Sequence, residues 1–167
     1  MRYSTDLDAA TARALFTYNP DTGVVSRRSS RGGMFAGTPV GTDNGHGYLS
    51  VLVNRRRYLV HRLAWLISYG EFPAEQIDHI NCVRDDNRLC NLRAATSTEN
   101  HVNAPRTKRN KNGYKGISFI ARDGKWMART SKNRQFIYLG TYDTQEEAHA
   151  AYVAGAARTH GDFVRAQ

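Results

Sequence analysis

Between Ile77 and Asn103 the chain reads IDHINCVRDDNRLCNLRAATSTENHVN, which packs an acid, a histidine and several asparagines into one short span. Those residue types match what phosphodiester hydrolysis asks for. The attacking water needs a base, and the non-bridging and leaving oxygens need a cation, because negative charge gathers on them in the transition state. An imidazole titrates near neutral pH, so His79 is the candidate base, with His101 the other imidazole of the span. Asp78 and Asn100 are oxygen donors, the ligand type a hard ion such as magnesium prefers. Asn91 carries both a carbonyl and an amide donor, so it can tie a loop to backbone and hold His79 in place, a positional role.

These residues need a strand, a loop, a second strand and a helix to hold them. Asp78 and His79 are adjacent at the end of a short apolar run, where strand alternation points them to opposite faces. One can hold a metal while the other handles a proton. A turn-rich loop runs from Asn81 to Arg88. A second run, Leu89 to Thr96, offers Leu89, Leu92, Ala94 and Ala95 to a core. Thr96 or Ser97 then reads as a helix N-cap, with Glu99 in the first turn. Taken alone, Asp78-His79 is weak, and Asn81, Asp85, Asp86 and Asn87 read as ordinary turn formers.

The order Asp-His, then Asn twelve positions after the histidine, then Asn nine further, resembles the HNH endonucleases in the H-N-N form of phage and intron-encoded homing enzymes. LVHRLAWLISYGEFP before the span and NLRAATSTEN within it are also similar to that family. The resemblance implies a ββα-metal motif with His79 as general base, Asp78 and Asn100 as metal ligands and Asn91 as the structural asparagine. Asn100 replaces the last histidine of the commoner H-N-H pattern, and His101 lies one residue later. Both therefore stand as candidates to face the metal.

The rest of the N-terminal part reads as a small β-rich scaffold. Ser4 or Thr5 is expected to cap a short helix through Leu15, with Leu7, Ala10 and Ala14 as its apolar stripe. Residues 15–18 and 24–26 flank NPDTG, a hairpin signal. Residues 27–47, rich in Gly and Arg (Arg27, Arg28, Arg31), read as a loop able to touch DNA backbone. Tyr48 to Val53 and Tyr58 to His61 form a second hairpin with Arg55, Arg56 and Arg57 exposed at its turn. His61 opens a buried helix that stops at Gly70 and is read as structural. Cys82 and Cys90 lack the paired C-x-x-C spacing of zinc sites, so reduced, partly buried thiols are expected.

The net charge of +9 is uneven. Residues 1–103 hold twelve Lys/Arg against ten Asp/Glu, whereas residues 104–167 hold twelve against five, and 104–134 hold ten against Asp123 alone. A surface of that kind releases counterions from phosphates, which makes nucleic acid the natural partner. Residues 104–112, APRTKRNKN, read as a basic linker whose Arg106, Lys108, Arg109 and Lys111 can track phosphates. From Gly113, three strands (114–120, 125–130 and 135–139) alternate, and a capped helix follows with Ala148, Ala151, Tyr152, Gly155 and Ala156 on one face.

YKGISF, GKWMAR, IYLGTYDTQEEAHAAY and the closing HGDF resemble the AP2/ERF-type DNA-binding domain, in the form fused to phage HNH endonucleases. The resemblance implies that the sheet enters the major groove. Alternation puts Ile117, Trp126, Ala128, Ile137 and Leu139 toward the helix and leaves Ser118, Met127, Arg129, Phe136 and Tyr138 on the open face. Lys115, Arg122, Lys125, Lys132 and Arg134 lie at strand ends, where phosphates would pass. The plant-type domain carries more arginines on this face, so the target sequence is not readable from it.

The expected protein is α+β: an HNH domain (1–103), the linker (104–112) and a three-stranded sheet with one C-terminal helix (113–167). The expected function is metal-dependent cleavage of double-stranded DNA with Mg2+ or Mn2+, in the cytoplasm of a bacterial or phage-infected cell. The N-terminus does not read as a secretory signal, and neither a membrane span nor an obligate protein partner is expected. The alternative is a non-catalytic DNA-binding regulator with a degenerate HNH part. The AP2-like sheet argues against an RNA-binding protein.

Overall fold

The computed structural model describes residues 3–30, 32–105, 112–132 and 135–164. Arg31, Arg106, Lys108, Arg109, Lys111 and Arg134 lie outside the described residues. The chain divides into two compact units, 1–94 and 95–167. Both mix α and β, and small antiparallel sheets carry the architecture.

In the first unit, helix α1 (Ala9–Leu15) leads into strands β1 (Phe16–Tyr18) and β2 (Val25–Arg27), which pair antiparallel. The helix begins later than Ser4 or Thr5 predicts, because Asp8 is the residue whose carboxylate accepts from the Thr11 amide at 2.8 Å. An acid there also meets the positive end of the helix dipole. Strands β3 (Thr42–Asp43), β4 (Leu49–Val53) and β5 (Arg56–Leu59) form a second sheet, and Arg55, Arg56 and Arg57 are exposed as expected. Helix α2 (Val60–Tyr69) turns Val60, Leu63, Ala64 and Leu66 inward at helical spacing and ends at Gly70. They pack with Phe16, Val25, Val51, Tyr58, Ile77 and Leu92 into one core. Strand β6 (Gln76–His79) pairs with β7 (Leu92–Ala95), and a 3-10 turn over Leu89–Asn91 precedes β7 where the sequence suggested extended chain.

The turn between β1 and β2 reaches the loop that follows β6. Gly23 sits at φ 75°, and a Cβ on it would fall 2.5 Å from the Arg88 nitrogen and 2.6 Å from the Asn87 carbonyl carbon. The Pro20 carbonyl accepts from the Leu89 amide, and the Tyr18 hydroxyl donates to the Asn87 carbonyl at 2.8 Å.

The second unit opens with helix α3 (Ser97–Asn103), whose start is a capping box: Thr96 Oγ1 accepts from the Glu99 amide and Glu99 returns the bond to the Thr96 amide. Strands β8 (Ile117–Ile120), β9 (Lys125–Lys132) and β10 (Gln135–Tyr142) form an antiparallel sheet in the order β10-β9-β8. Helix α4 (Gln145–His160), capped in the same way by Thr144 and Glu147, buries Ala148, Tyr152, Gly155 and Ala156 against Ile117 and Ala128. Gly116 has φ 71°, and a Cβ there would lie 1.9 Å from the Tyr152 ring. Ile137 was expected beneath the helix but is 36% exposed. It lies on the edge strand, and a register shift between Tyr138 and Gly140 separates it from Leu139, which does pack in the core.

Candidate active site and nucleic-acid interface

Strand β6 delivers Asp78 and His79 to opposite partners, and both side chains are buried. Asp78 meets Arg93 of β7: Nε and Nη2 approach its Oδ2 at 2.9 and 2.8 Å. His79 Nε2 lies 3.1 Å from Asn87 Oδ1. With that oxygen as acceptor, Nε2 carries the proton and Nδ1 carries the lone pair. Burial pulls the His79 pKa below its ordinary value, with the Asn87 bond and the Asp78 charge opposing it. The ring is therefore neutral near pH 7, the state a base requires.

Asn91 bonds loop backbone through both of its functional groups. Its Oδ1 accepts from the Asn81 amide at 3.0 Å and its Nδ2 donates to the Asp86 carbonyl at 2.8 Å. Its own carbonyl accepts from the Ile80 amide. The loop between the two strands is thus tied near its start and at its middle to the Asn91 side chain. Asn100 lies half-buried on α3 in the second unit, and the His101 ring there engages the Ser97 carbonyl at 2.8 Å.

Two residues here escaped the sequence reading. Asn87 is 2% exposed, although it reads as one more turn former in a turn-rich loop. Arg93 faces Asp78 across a strand pair, and an arginine between Leu92 and Ala94 in a core-facing strand was the available signal. Cys82 and Cys90 are free thiols, and Cys90 is exposed rather than partly buried.

His61 fills the space behind His79. The two rings meet edge to face at 5.0 Å between centroids, and Tyr48 completes the cluster at 5.4 Å from His61 and 5.8 Å from His79. Burial, then the charge of His79, takes the His61 pKa down to about 3, and its Nδ1 has no hydrogen-bond partner. The unfolded chain takes up this proton below about pH 6.5 and the folded one does not until near 3. Stability from this group is therefore full above pH 6.5 and is lost on acidification through that window. His61→Leu should remove about 2 kcal/mol of the stability lost between pH 7 and pH 5, read from urea midpoints.

In the second unit the strand register gathers the expected face. Ser118 pairs with Met127 and Arg129 with Tyr138, while Phe136 and Tyr138 are 72% and 63% exposed. The Arg129 guanidinium lies over the Phe136 ring, 4.5 Å from its centre. The face is bordered at one end by α3, where Thr98 and His101 share a cavity of about 220 Å³ with Arg129 and Phe136. Trp126 meets Phe119 in a tilted ring contact, 5.1 Å between centroids, and is half-buried.

The strand-end cations are more engaged than expected. Lys115 does not project freely to a phosphate: its ammonium donates to the carbonyls of Val102 and Ala104, both at 2.6 Å, and of His101, closing the C-terminal end of α3. Arg122 pairs with Asp123 and Lys125 with Asp143. Lys132 is exposed.

The oxygen donors fit a hard divalent cation in kind, a carboxylate and an amide carbonyl. Among the described residues no group of three or more His, Cys, Asp or Glu side chains could hold a metal. No described helix is long and apolar enough to cross a membrane.

Comparison with known proteins bears on both units. The chain is 32% identical over 96 residues to the ethylene-responsive transcription factor WRI1 of Arabidopsis thaliana, an alignment covering 54% of this chain and 20% of that protein. It therefore spans about a fifth of that relative's length. Residues 58–102, which run from β5 through α2 and both strands of the candidate site into α3 and include Asp78, His79, Asn91 and Asn100, match the HNH endonuclease family.

Proposed function

We propose that the protein is a metal-dependent DNA endonuclease of the HNH homing type, cutting duplex DNA at sites chosen by its C-terminal, AP2/ERF-like sheet. The observation that carries this reading is a buried, neutral His79 held at Nε2 by Asn87, in a loop that Asn91 fastens, within the HNH-matching segment. Asp78 and Asn100 would hold a magnesium or manganese ion, which when bound stabilises charge on phosphate oxygens. His79 Nδ1 accepts a proton from the attacking water, and Asn87 fixes the ring so that this nitrogen keeps its lone pair. Arg93 holds the Asp78 carboxylate in place through a paired contact. One such site per chain makes one nick.

The domain organisation we propose is an HNH domain over 1–103, a basic linker over 104–112 and a DNA-binding domain over 113–167. Ser118, Met127, Arg129, Phe136 and Tyr138 meet the groove, and Lys132 meets phosphate. Arg129 stands with its guanidinium over the Phe136 ring on this face, within reach of a base edge. Arg129→Ala should relax sequence preference by about 1–3 kcal/mol at one position while leaving the salt slope of binding in place. Selection from a randomised duplex library measures both.

A second reading, a DNA-binding regulator without cleavage, is favoured by one observation: the Arg93 guanidinium occupies the Asp78 oxygen a metal would take. Nicking of supercoiled plasmid with magnesium or manganese, against a chelator control, separates the two. Cutting only with metal supports the endonuclease; sequence-preferring binding with no cutting supports the regulator.

A further inference from the structure

The loop after β6 also carries Arg84, which the chemistry above does not use. Its guanidinium carbon lies 5.0 Å from the centre of the Tyr48 ring. Tyr48 is itself in ring contact with His79 at 5.8 Å. Guanidinium, phenol and imidazole thus stand in series, which keeps the arginine within about 11 Å of the base. Duplex DNA advances about 3.4 Å per nucleotide of one strand. A phosphate on Arg84 would therefore lie within about three nucleotides of the one beside His79.

Resting on the endonuclease reading, we infer that Arg84 holds a backbone phosphate of the cleaved strand at this distance from the cut. Arg84 is exposed, and one of its five N–H donors goes to the His46 carbonyl at 2.8 Å, which fixes the fork and leaves the others for an anion. The ring beneath it and the bond to His46 limit the guanidinium's freedom before phosphate binds, so less is lost on binding. Beside it opens a cavity of about 440 Å³ lined by Tyr3, Asn44, His46, Tyr48, Leu59 and Arg84, with no carboxylate in the lining. Of the two acids that follow it in the chain, Asp86 is paired with Arg88 at 2.6 Å and Asp85 is exposed.

The test is a coupled substitution on the full-length protein. Single methylphosphonates, which remove the charge of one phosphate, are placed in turn at the three positions on either side of the cut, and single-turnover nicking is measured. One position should slow the wild-type protein by about 10–100-fold. Arg84→Ala should slow nicking of unmodified DNA by a similar factor, and the same methylphosphonate should then add less than about twofold. Arg84→Lys, which keeps charge without the fork, should fall between.

If no flanking methylphosphonate slows the wild-type protein, or if the two losses simply multiply, Arg84 is only a staple on Tyr48 and the inference is wrong. A wild-type protein that cuts no duplex overturns the endonuclease reading, and this inference falls with it. Unchanged thermal unfolding of Arg84→Ala keeps a folding defect from imitating the expected result, and Arg84→Gln gives a second neutral variant for the same cycle.

Discussion

His79→Ala should lower the rate of DNA nicking by about 10²–10⁴-fold while duplex affinity changes by less than about twofold. The ring is the group with a lone pair at a buried, fixed position, and Asn87 and Asn91 cannot replace it because neither amide accepts a proton at neutral pH. Affinity should survive because the basic surface and the exposed sheet belong to the second unit. Single-turnover nicking with saturating magnesium, beside a filter-binding titration in chelator, reads the two effects separately. Parallel loss of both would mean that the substitution damages the fold and that His79 is not the base. Asn100→Ala should also be inactive; an active Asn100→Ala beside an inactive His101→Ala would move the third position of the motif by one residue.

Gly116→Ala should give a different outcome, with site-preferring binding lost while the first unit, which holds Asp78, His79 and Asn91, stays folded. The new methyl would stand 1.9 Å from a Tyr152 ring that is 5% exposed and packed among Ala128, Ala148 and Ala156. A buried ring cannot swing aside as the end of a flexible chain can. The backbone at φ 71° also strains any residue with a Cβ. Overpacking and strain together should cost at least about 3 kcal/mol, a large share of what so small a core supplies. Differential scanning calorimetry should show the transition of the second unit shifted down or absent, and nicking of plasmid should become weaker and less selective. Wild-type selectivity in this variant would show that targeting does not reside in the 113–167 sheet.

The proposed catalytic residues were more legible than those that hold them in place. Asp78, His79, Asn91 and Asn100 are visible because their order and separations are unusual together, and Asn91 is tied to loop backbone as its functional groups suggest. Asn87 was illegible because asparagine forms turns far more often than it orients a buried imidazole, and burial depends on chain that arrives from elsewhere. Periodicity placed α2, α4 and the three-stranded sheet, since each carries an apolar face with a definite repeat. It did not anticipate the exposure of Ile137 on the edge strand, and nothing in the sequence showed that the Lys115 ammonium bonds the carbonyl end of α3. Neither effect is local to the residue concerned.

The contact of the Gly23 turn with the Asn87–Arg88 backbone bears on how portable this site is. A cassette cut at residues 77 and 103 would carry Asp78, His79, Asn91 and Asn100 to a new host and leave behind Tyr18, Pro20 and Gly23, which buttress the loop from far upstream in the chain. The graft would have the right inventory and a slack hinge under its base. Any fragment meant to keep this loop geometry should therefore retain the first hairpin intact. The β1–β2 turn is equally a poor place for tags or insertions, because an added residue there would be felt at the imidazole.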